Sequence, residues 1–380
     1  MNIENREKSN VKKMYEEACA LIHKNYLHGE DMPDLYKYQL TKQENKVTMW
    51  LNKYILEKLG VVLCKKKKIE QYEGIIAMLH SSEYLKWLSE GIVINIMYNS
   101  AKLDELYEIL EDDKSKKTFQ WFIQYNTILC FSNGKIAEKL VGYPTRSFKY
   151  YQMLENRTLS KVQEGIYKVN EYELESEVGL ISNTWVNKQY SLKDICVPEE
   201  GDYVIEGGSF QGETTVWLAS CVKEEGRVFA FELDKRNIDL INRNIHRNHF
   251  EDRVQIINKG LWDENTELYL EGNSFSTKCL EEGSSQNKAP VIQIDSYVKK
   301  NNIKKVDFIK MDIEGAELKA LKGAAKTIEQ FKPKLAICVY HKPNDLIEIP
   351  FYIKSLVPEY KLYLSHKCTV WSETVLFATV

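Results

Sequence analysis

Residues 204–214 read Val-Ile-Glu-Gly-Gly-Ser-Phe-Gln-Gly-Glu-Thr, and the reading of this stretch decides the fold. A β-type run from Tyr203 to Glu206 breaks into glycines and re-enters a helical pattern at about Glu213. Glycine lets a backbone turn sharply and pass close to a ligand, and the free N–H groups of the helix that follows favour an anionic or carboxylate group. Gly207, Gly208 and Gly212 supply that freedom, with Ser209 and Thr214 as polar side chains within the turn. A dinucleotide fingerprint needs a middle glycine where Ser209 stands. A P-loop needs a lysine where Glu213 stands, and a glutamate there sets negative charge against a triphosphate.

The segments downstream extend the pattern. From about Tyr190, short β-type runs alternate with helical stretches, as in β-α-β units and a mainly parallel sheet. Seven strands are predicted: Tyr203–Glu206, Arg227–Glu232, Arg253–Asn258, Val306–Asp312, Lys334–Tyr340, Tyr360–Ser365 and Glu373–Thr379. Helices from about Glu213 and Lys235 fall between the first three, and extra strands at Glu267–Leu270 and Val291–Ile294 flank a loop at Gly272–Ser276. The second strand ends in Phe-Ala-Phe-Glu-Leu-Asp, with Glu232 20 residues beyond Gly212. That is the spacing at which a strand-end carboxylate accepts ribose hydroxyls, while Asp234 also reads as a helix N-cap. The fourth strand delivers Asp312 to the same edge within Asp-Phe-Ile-Lys-Met-Asp-Ile-Glu-Gly-Ala-Glu, residues 307–317. One carboxylate there reads as a general base, another as a substrate orienter, with Lys310 tuning either; Glu314 and Glu317 read equally as helix first-turn acids. The fifth strand ends in Cys-Val-Tyr-His-Lys-Pro-Asn-Asp, placing His341 at the rim as a proton acceptor or as a structural histidine. His246 and His249 lie three apart on a helix with no accompanying ligand set, so no metal site is expected.

An acidic residue followed by x-Gly-x-x-x-Gly, here Glu206 to Gly212, is the pattern of adenosylmethionine enzymes, in which the acid meets the methionine ammonium. With VIEGGSFQGET, FAFELD, VIQIDSYV, VDFIKMDIEGAEL, LAICVYHKPNDL and ETVLFATV in order, residues 190–380 resemble the FkbM-like methyltransferases. Leu106–Asn126 is similar, more loosely, to a helical segment preceding the catalytic domain in some members. Glu206 stands where the family more often has Asp, and Leu233 where it commonly has Pro. The resemblance implies an α/β fold, a doubly wound seven-stranded Rossmann-like sheet with its last strand antiparallel, and S-adenosylmethionine as methyl donor to a hydroxyl. By position, Glu206, Gly207, Gly208, Ser209, Gly212 and Thr214 would surround the methionine part, Glu232 and Leu233 the ribose, and Asn258 to Leu261, including Gly260, the adenine. Asp312, Glu314 and His341 would face the acceptor, a saccharide or other small molecule, with His341 or Asp312 as base. A non-catalytic adenosylmethionine-binding protein and a nicotinamide-dependent oxidoreductase are the alternative readings.

The remainder of the chain reads differently. Residues 1–175 are expected to form an α-helical region, a substrate-selecting or interaction module that could pair copies of the chain, with the methyltransferase domain at 176–380. Leu103, Leu106, Tyr107 and Leu110 fall on one helical face, and the run Phe119–Phe131 could bury against them. A formal charge of −3 argues against a polyanionic partner, and the one conspicuous basic run, Lys65–Lys68, reads as a solvated helix end or turn. The eight cysteines are scattered without a Cys-x-x-Cys pair and read as reduced core thiols. No secretory h-region and no stretch near the roughly 18 apolar residues of a membrane span appear, so the expected address is the cytoplasm.

Overall fold

The structure, a computed structural model, describes residues 9–22, 24, 83–132, 134–144, 154–271, 278–281, 288–368 and 373–380. Lys65–Lys68 and the loop Gly272–Ser276 lie outside the described residues. The chain divides into two compact units, Met1–Tyr107 with Lys117–Tyr143, and Glu108–Lys116 with Pro144–Val380. Among the described residues no helix is long and apolar enough to cross a membrane.

The first unit is built on α1 (Asn10–Ile22), α2 (Glu83–Tyr98), α3 (Ser100–Ile109), α4 (Asp113–Phe131) and α5 (Gly134–Val141), the third and fourth of which run across the unit boundary. Burial follows the helical period: Val11, Met14, Ala18 and Ile22 of α1 are buried, as are Phe119, Phe122 and Ile123 of α4. Leu103 and Leu106 are also buried, and Tyr107 packs its ring 5.7 Å from that of Phe119.

The helical expectation fails at its C-terminal end. Residues 159–175 form an antiparallel meander of β1 (Leu159–Gln163), β2 (Ile166–Val169) and β3 (Tyr172–Glu175). Its two-residue turns put Gly165 (φ 73°) and Asn170 (φ 51°) in the left-handed region, which these residue types tolerate. The free edge of β3 is capped by amide side chains. Glu173 N donates to Asn248 Oδ1 (2.9 Å) and Glu175 N to Asn244 Oδ1 (2.8 Å), and both amides donate back to the same residues' carbonyls. The signal was a short alternation between two turn residues, easily lost beside the helices that precede it.

The second unit is organised by a seven-stranded sheet in the order β13-β14-β12-β11-β4-β5-β6. Its strands are β4 (Tyr203–Gly207), β5 (Arg227–Phe231), β6 (Val254–Ile257), β11 (Phe308–Met311), β12 (Lys334–Cys338), β13 (Lys361–His366) and β14 (Thr374–Thr379). All neighbouring pairs are parallel except those made by β14, the last strand, which is antiparallel to both β12 and β13. β11 and β12 are buried almost throughout, as expected of parallel strands covered on both faces. The short α6 (Val178–Ile181) precedes the sheet, α7 (Glu213–Val222) follows β4, and α8 (Lys235–Arg247) follows β5, started by Asp234, whose carboxylate accepts from Arg236 N. Between β6 and β11 the chain adds a small sheet in the order β7-β10-β8-β9, made of β7 (Gly260–Leu261), β8 (Thr266–Glu271), β9 (Lys278–Leu280) and β10 (Lys288–Ile292). Its core of Trp262, Leu268 and Val291 packs with Ile313 and Ala316, so this insertion braces the loop after β11.

Candidate active site

A cavity of about 220 Å³ opens at the C-terminal ends of β4, β5 and β11, where open α/β sheets bind ligands. Its geometry begins at the glycine turn. Gly208 has φ 76°, and a Cβ there would stand 1.9 Å from the carbonyl oxygen of Asp312, so only glycine lets the β4 turn pass this close to the β11 loop. Gly212, at φ 85°, starts α7 against Ile241, whose Cα would lie 3.1 Å from an added Cβ. Lys310, in register with Glu206 on the neighbouring strand, is buried and donates to the carbonyls of Gly207 (3.2 Å) and Gly208 (2.6 Å). The turn is therefore held from below by a cation.

Glu232 lines the cavity at the end of β5. Its Oε1 accepts from Leu233 N, Asp234 N (2.9 Å each) and Asn237 Nδ2 (3.3 Å), and its Oε2 from Phe210 N at 2.9 Å. A carboxylate oxygen accepts about two hydrogen bonds, so Oε2 retains capacity on the cavity side. Burial raises its pKa, against the lowering effect of these donors. Asn258 donates to the carbonyls of both Glu232 and Leu233 at 3.0 Å, holding the strand end, and Gly260 and Leu261 complete an apolar wall beside Leu233.

On the other side, Asp312 accepts from Tyr190 Oη (2.6 Å) and Tyr340 Oη (3.1 Å). Burial alone would raise this carboxyl, but His341, Lys310 and the two phenols outweigh it and hold it below its ordinary value. Tyr190 is pushed well above the usual phenol range by burial and by the Asp312 charge, so it remains a donor. His341 is buried behind Asp312: Nδ1 lies 2.9 Å from Glu317 Oε1, and Nε2 lies 3.4 Å from Asp312 Oδ1 and 3.9 Å from Glu314 Oε1. Burial lowers the imidazole pKa, yet Glu317, Asp312 and Glu314 together raise it to about 10. A ring so surrounded favours the imidazolium at neutral pH, a form with no lone pair to offer a hydroxyl proton. Glu317 is a first-turn acid of the helix Glu317–Lys322, as expected, but a fully buried one, accepting also from Ile313 N at 2.9 Å. Asp312, Glu317 and His341 each bring a donor atom within 4.8 Å of the others, a grouping able to surround a small cation. Asp345, behind them, is pushed up to about 7 by burial and by the Glu317 charge.

Of the residues singled out from sequence, Gly208, Thr214, Glu232, Leu233, Gly260, Leu261, Asp312 and Glu314 line this cavity. Gly207, Ser209 and Gly212 form the turn behind it, and His341 supports Asp312 from beneath. Glu206 is not on the wall. It is fully buried under the turn, its Oε2 accepting from Thr215 Oγ1 (2.6 Å) and Ser209 Oγ (3.0 Å), because the last residues of β4 point into the sheet packing before the glycines begin. Glu213, Tyr190, Asn237 and Glu373 also line the cavity and were not foreseen. Glu213 carried one signal, its place on the first turn of the helix after the glycines; Tyr190 arrives from outside the β-α units, where no spacing rule applies. His246, exposed, pairs with Glu251 at 2.6 Å.

A glycine turn after β4, carboxylates at the ends of the strands on either side of it and a closing antiparallel strand define a methyltransferase of the doubly wound α/β class. Residues 206–366 match the methyltransferase FkbM domain. The chain is similar to the methyltransferase FkbM of Methylobacillus flagellatus KT at 20% identity, over 85% of this chain and 68% of that one, with a TM-score of 0.53. Weaker similarities reach Aeropyrum pernix fibrillarin in complex with S-adenosyl-L-methionine (12% identity, 51% and 72% of the two chains, TM-score 0.33) and an O-methyltransferase from Bacillus cereus in complex with SAH (14%, 61% and 89%, TM-score 0.33). No curated protein matches the chain.

Proposed function

We propose that this domain transfers a methyl group from S-adenosylmethionine to a hydroxyl of a sugar or other small-molecule or glycan acceptor. The residues present fit such a donor. Glu213 Oε2 is buried with no hydrogen-bond partner among the described residues, Glu232 keeps acceptor capacity, and Leu233, Gly260 and Leu261 offer a flat apolar wall. When bound, the donor supplies an electrophilic methyl group for in-line displacement, so the protein's first task is to fix the geometry of approach.

Glu232 orients the ribose through Oε2, and its four N–H contacts keep it from rotating away. Asp312 faces the acceptor hydroxyl and receives its proton. A carboxylate held below its ordinary pKa is a weak base, but the hydroxyl becomes strongly acidic as its oxygen gains the methyl group, so a weak base in place suffices. His341 acts as a positioning residue, its positive charge keeping Asp312 ionised and aimed, with Glu317 fixing the ring. Glu314, at the cavity edge, orients the acceptor.

The observation that carries this reading is that Glu232 and Asp312, from strands on either side of β4, line one cavity with the Gly208 turn between them. Isothermal calorimetry with S-adenosylhomocysteine tests it. Glu232→Ala should weaken binding about tenfold to a hundredfold, the worth of hydrogen bonds to a charged group; unaltered affinity would refute the ribose assignment.

A further inference from the structure

Besides Glu373, which accepts from Gln189 Nε2, and Glu317, which holds His341, four glutamates stand at or beneath the rim of this cleft, and three of these four have their charges accounted for. Glu232 is saturated by backbone N–H groups apart from its ribose-facing side. Glu206 lies beneath the turn, beside Lys310 and under two hydroxyls. Glu314 stands near His341. Glu213 differs from all of them. It lines the cavity, is 6% exposed, and among the described residues its carboxylate accepts from Thr214 Oγ1, at Oε1, 3.2 Å away. Its Oε2 is buried with no partner among the described residues. Lys310, the cation facing it, already donates to two carbonyls of the glycine turn.

A buried carboxylate oxygen without a partner is costly unless a cation or donor arrives. Burial accordingly pushes the Glu213 carboxyl up to about 7, balanced between its two forms until such a group comes. The position also suits the chemistry. Glu213 opens α7 directly after the glycine turn, and in the donor proposed above only the amino-acid end carries a primary ammonium. Glu206 shares one feature, an Oε1 buried without a partner, but it lies off the cavity wall and is fully enclosed, so a ligand cannot reach it without opening the turn.

We infer that Glu213, and not the acidic residue that precedes the glycines, receives the α-ammonium of the donor's methionine end. The inference rests on the reading of this cavity as the donor site. Glu206 then acts as a positioning residue: it accepts from Ser209 and Thr215 and so sets the turn from which Glu213 is presented.

Three nucleosides separate the possibilities by calorimetry on the full chain: S-adenosylhomocysteine, its decarboxylated analogue, which keeps the ammonium, and 5′-methylthioadenosine, which lacks the whole amino-acid end. Glu213→Gln should bind the first two about tenfold to a hundredfold more weakly and the third as the wild type does. Glu206→Gln should not discriminate among the three. Equal weakening of all three by Glu213→Gln, or no weakening of the first two, overturns the assignment, as does selective loss in Glu206→Gln alone. Glu213→Asp, which keeps the charge on a shorter arm, should recover part of the lost discrimination, and its failure to bind the ammonium-bearing pair better than Glu213→Gln also counts against the assignment. Wild-type protein that binds none of the three would instead sink the donor reading itself.

Discussion

At the end of β5, Glu232 is held by the backbone N–H groups of Leu233 and Asp234 and the side-chain amide of Asn237 from its own β-α unit, and by Phe210 N from the glycine turn of the neighbouring unit. At the end of β11, Asp312 is held by the side chains of Tyr190, Tyr340 and His341, and His341 in turn by Glu317. Backbone donors come with the local chain path, whichever side chains surround them. Phenols and an imidazole must be delivered by separate segments, Tyr190 by one and Tyr340 with His341 by another, and together they hold the Asp312 charge. The donor side of the cleft is thus a property of a motif, and the acceptor side a property of the packed domain.

The sharpest way to break this comparison is Asp312→Asn. Turnover should fall by about 10²- to 10⁴-fold, the usual worth of a positioned base, while calorimetric affinity for S-adenosylhomocysteine stays within about twofold on the same scale. Equal loss of both would erase the division between the two sides. Next in size, Glu317→Ala should lower stability to denaturant by about 3–5 kcal/mol, since it strips a fully buried partner from a buried charge. A change below 1 kcal/mol, roughly that of a surface pair, would show that the His341 cluster is not a paired network.

Gly208→Ala tests the place where the two sides touch. A left-handed φ already costs an alanine about 1–3 kcal/mol, and the added Cβ would press on the Asp312 carbonyl oxygen. Donor affinity and turnover should therefore fall together, unlike in Asp312→Asn. A variant that melts like the wild type and binds the donor normally contradicts the close approach.

The smallest effect is in pH. His341 has a folded pKa raised from its ordinary 6.5 to about 10, so the stability it contributes is complete below about 6.5 and is lost as pH rises through about 10. The stability difference between wild type and His341→Gln should therefore shrink between pH 7 and pH 10. If instead it is already lost by pH 7, or the ring titrates near 6.5 by NMR, the imidazolium assignment is wrong.

The order of strands, the glycine turn, and the positions of Glu232 and Asp312 at strand ends could be read from the chain, because hydrophobic runs, turn residues and β-α spacing are local. The same local rules mark an acid before the glycines without saying whether it points into the cleft or under it, and a residue's facing depends on pleat and on the neighbour strand. Register with β11 set Lys310 beside Glu206 and left the wall to Glu213. The meander at 159–175 was missed for a related reason: its edge is completed by Asn244 and Asn248, about 70 residues away, and no window of sequence contains both.

By itself, then, the sequence determined the sheet, its glycine turn and the carboxylates at its rim, since each follows from backbone freedom and periodicity over a few residues. Only the tertiary structure decided which of those carboxylates meets the cavity, which lies under the turn near Lys310, and that three carboxylates surround His341. Charge state and facing depend on groups far apart in the chain that packing brings within a few ångströms.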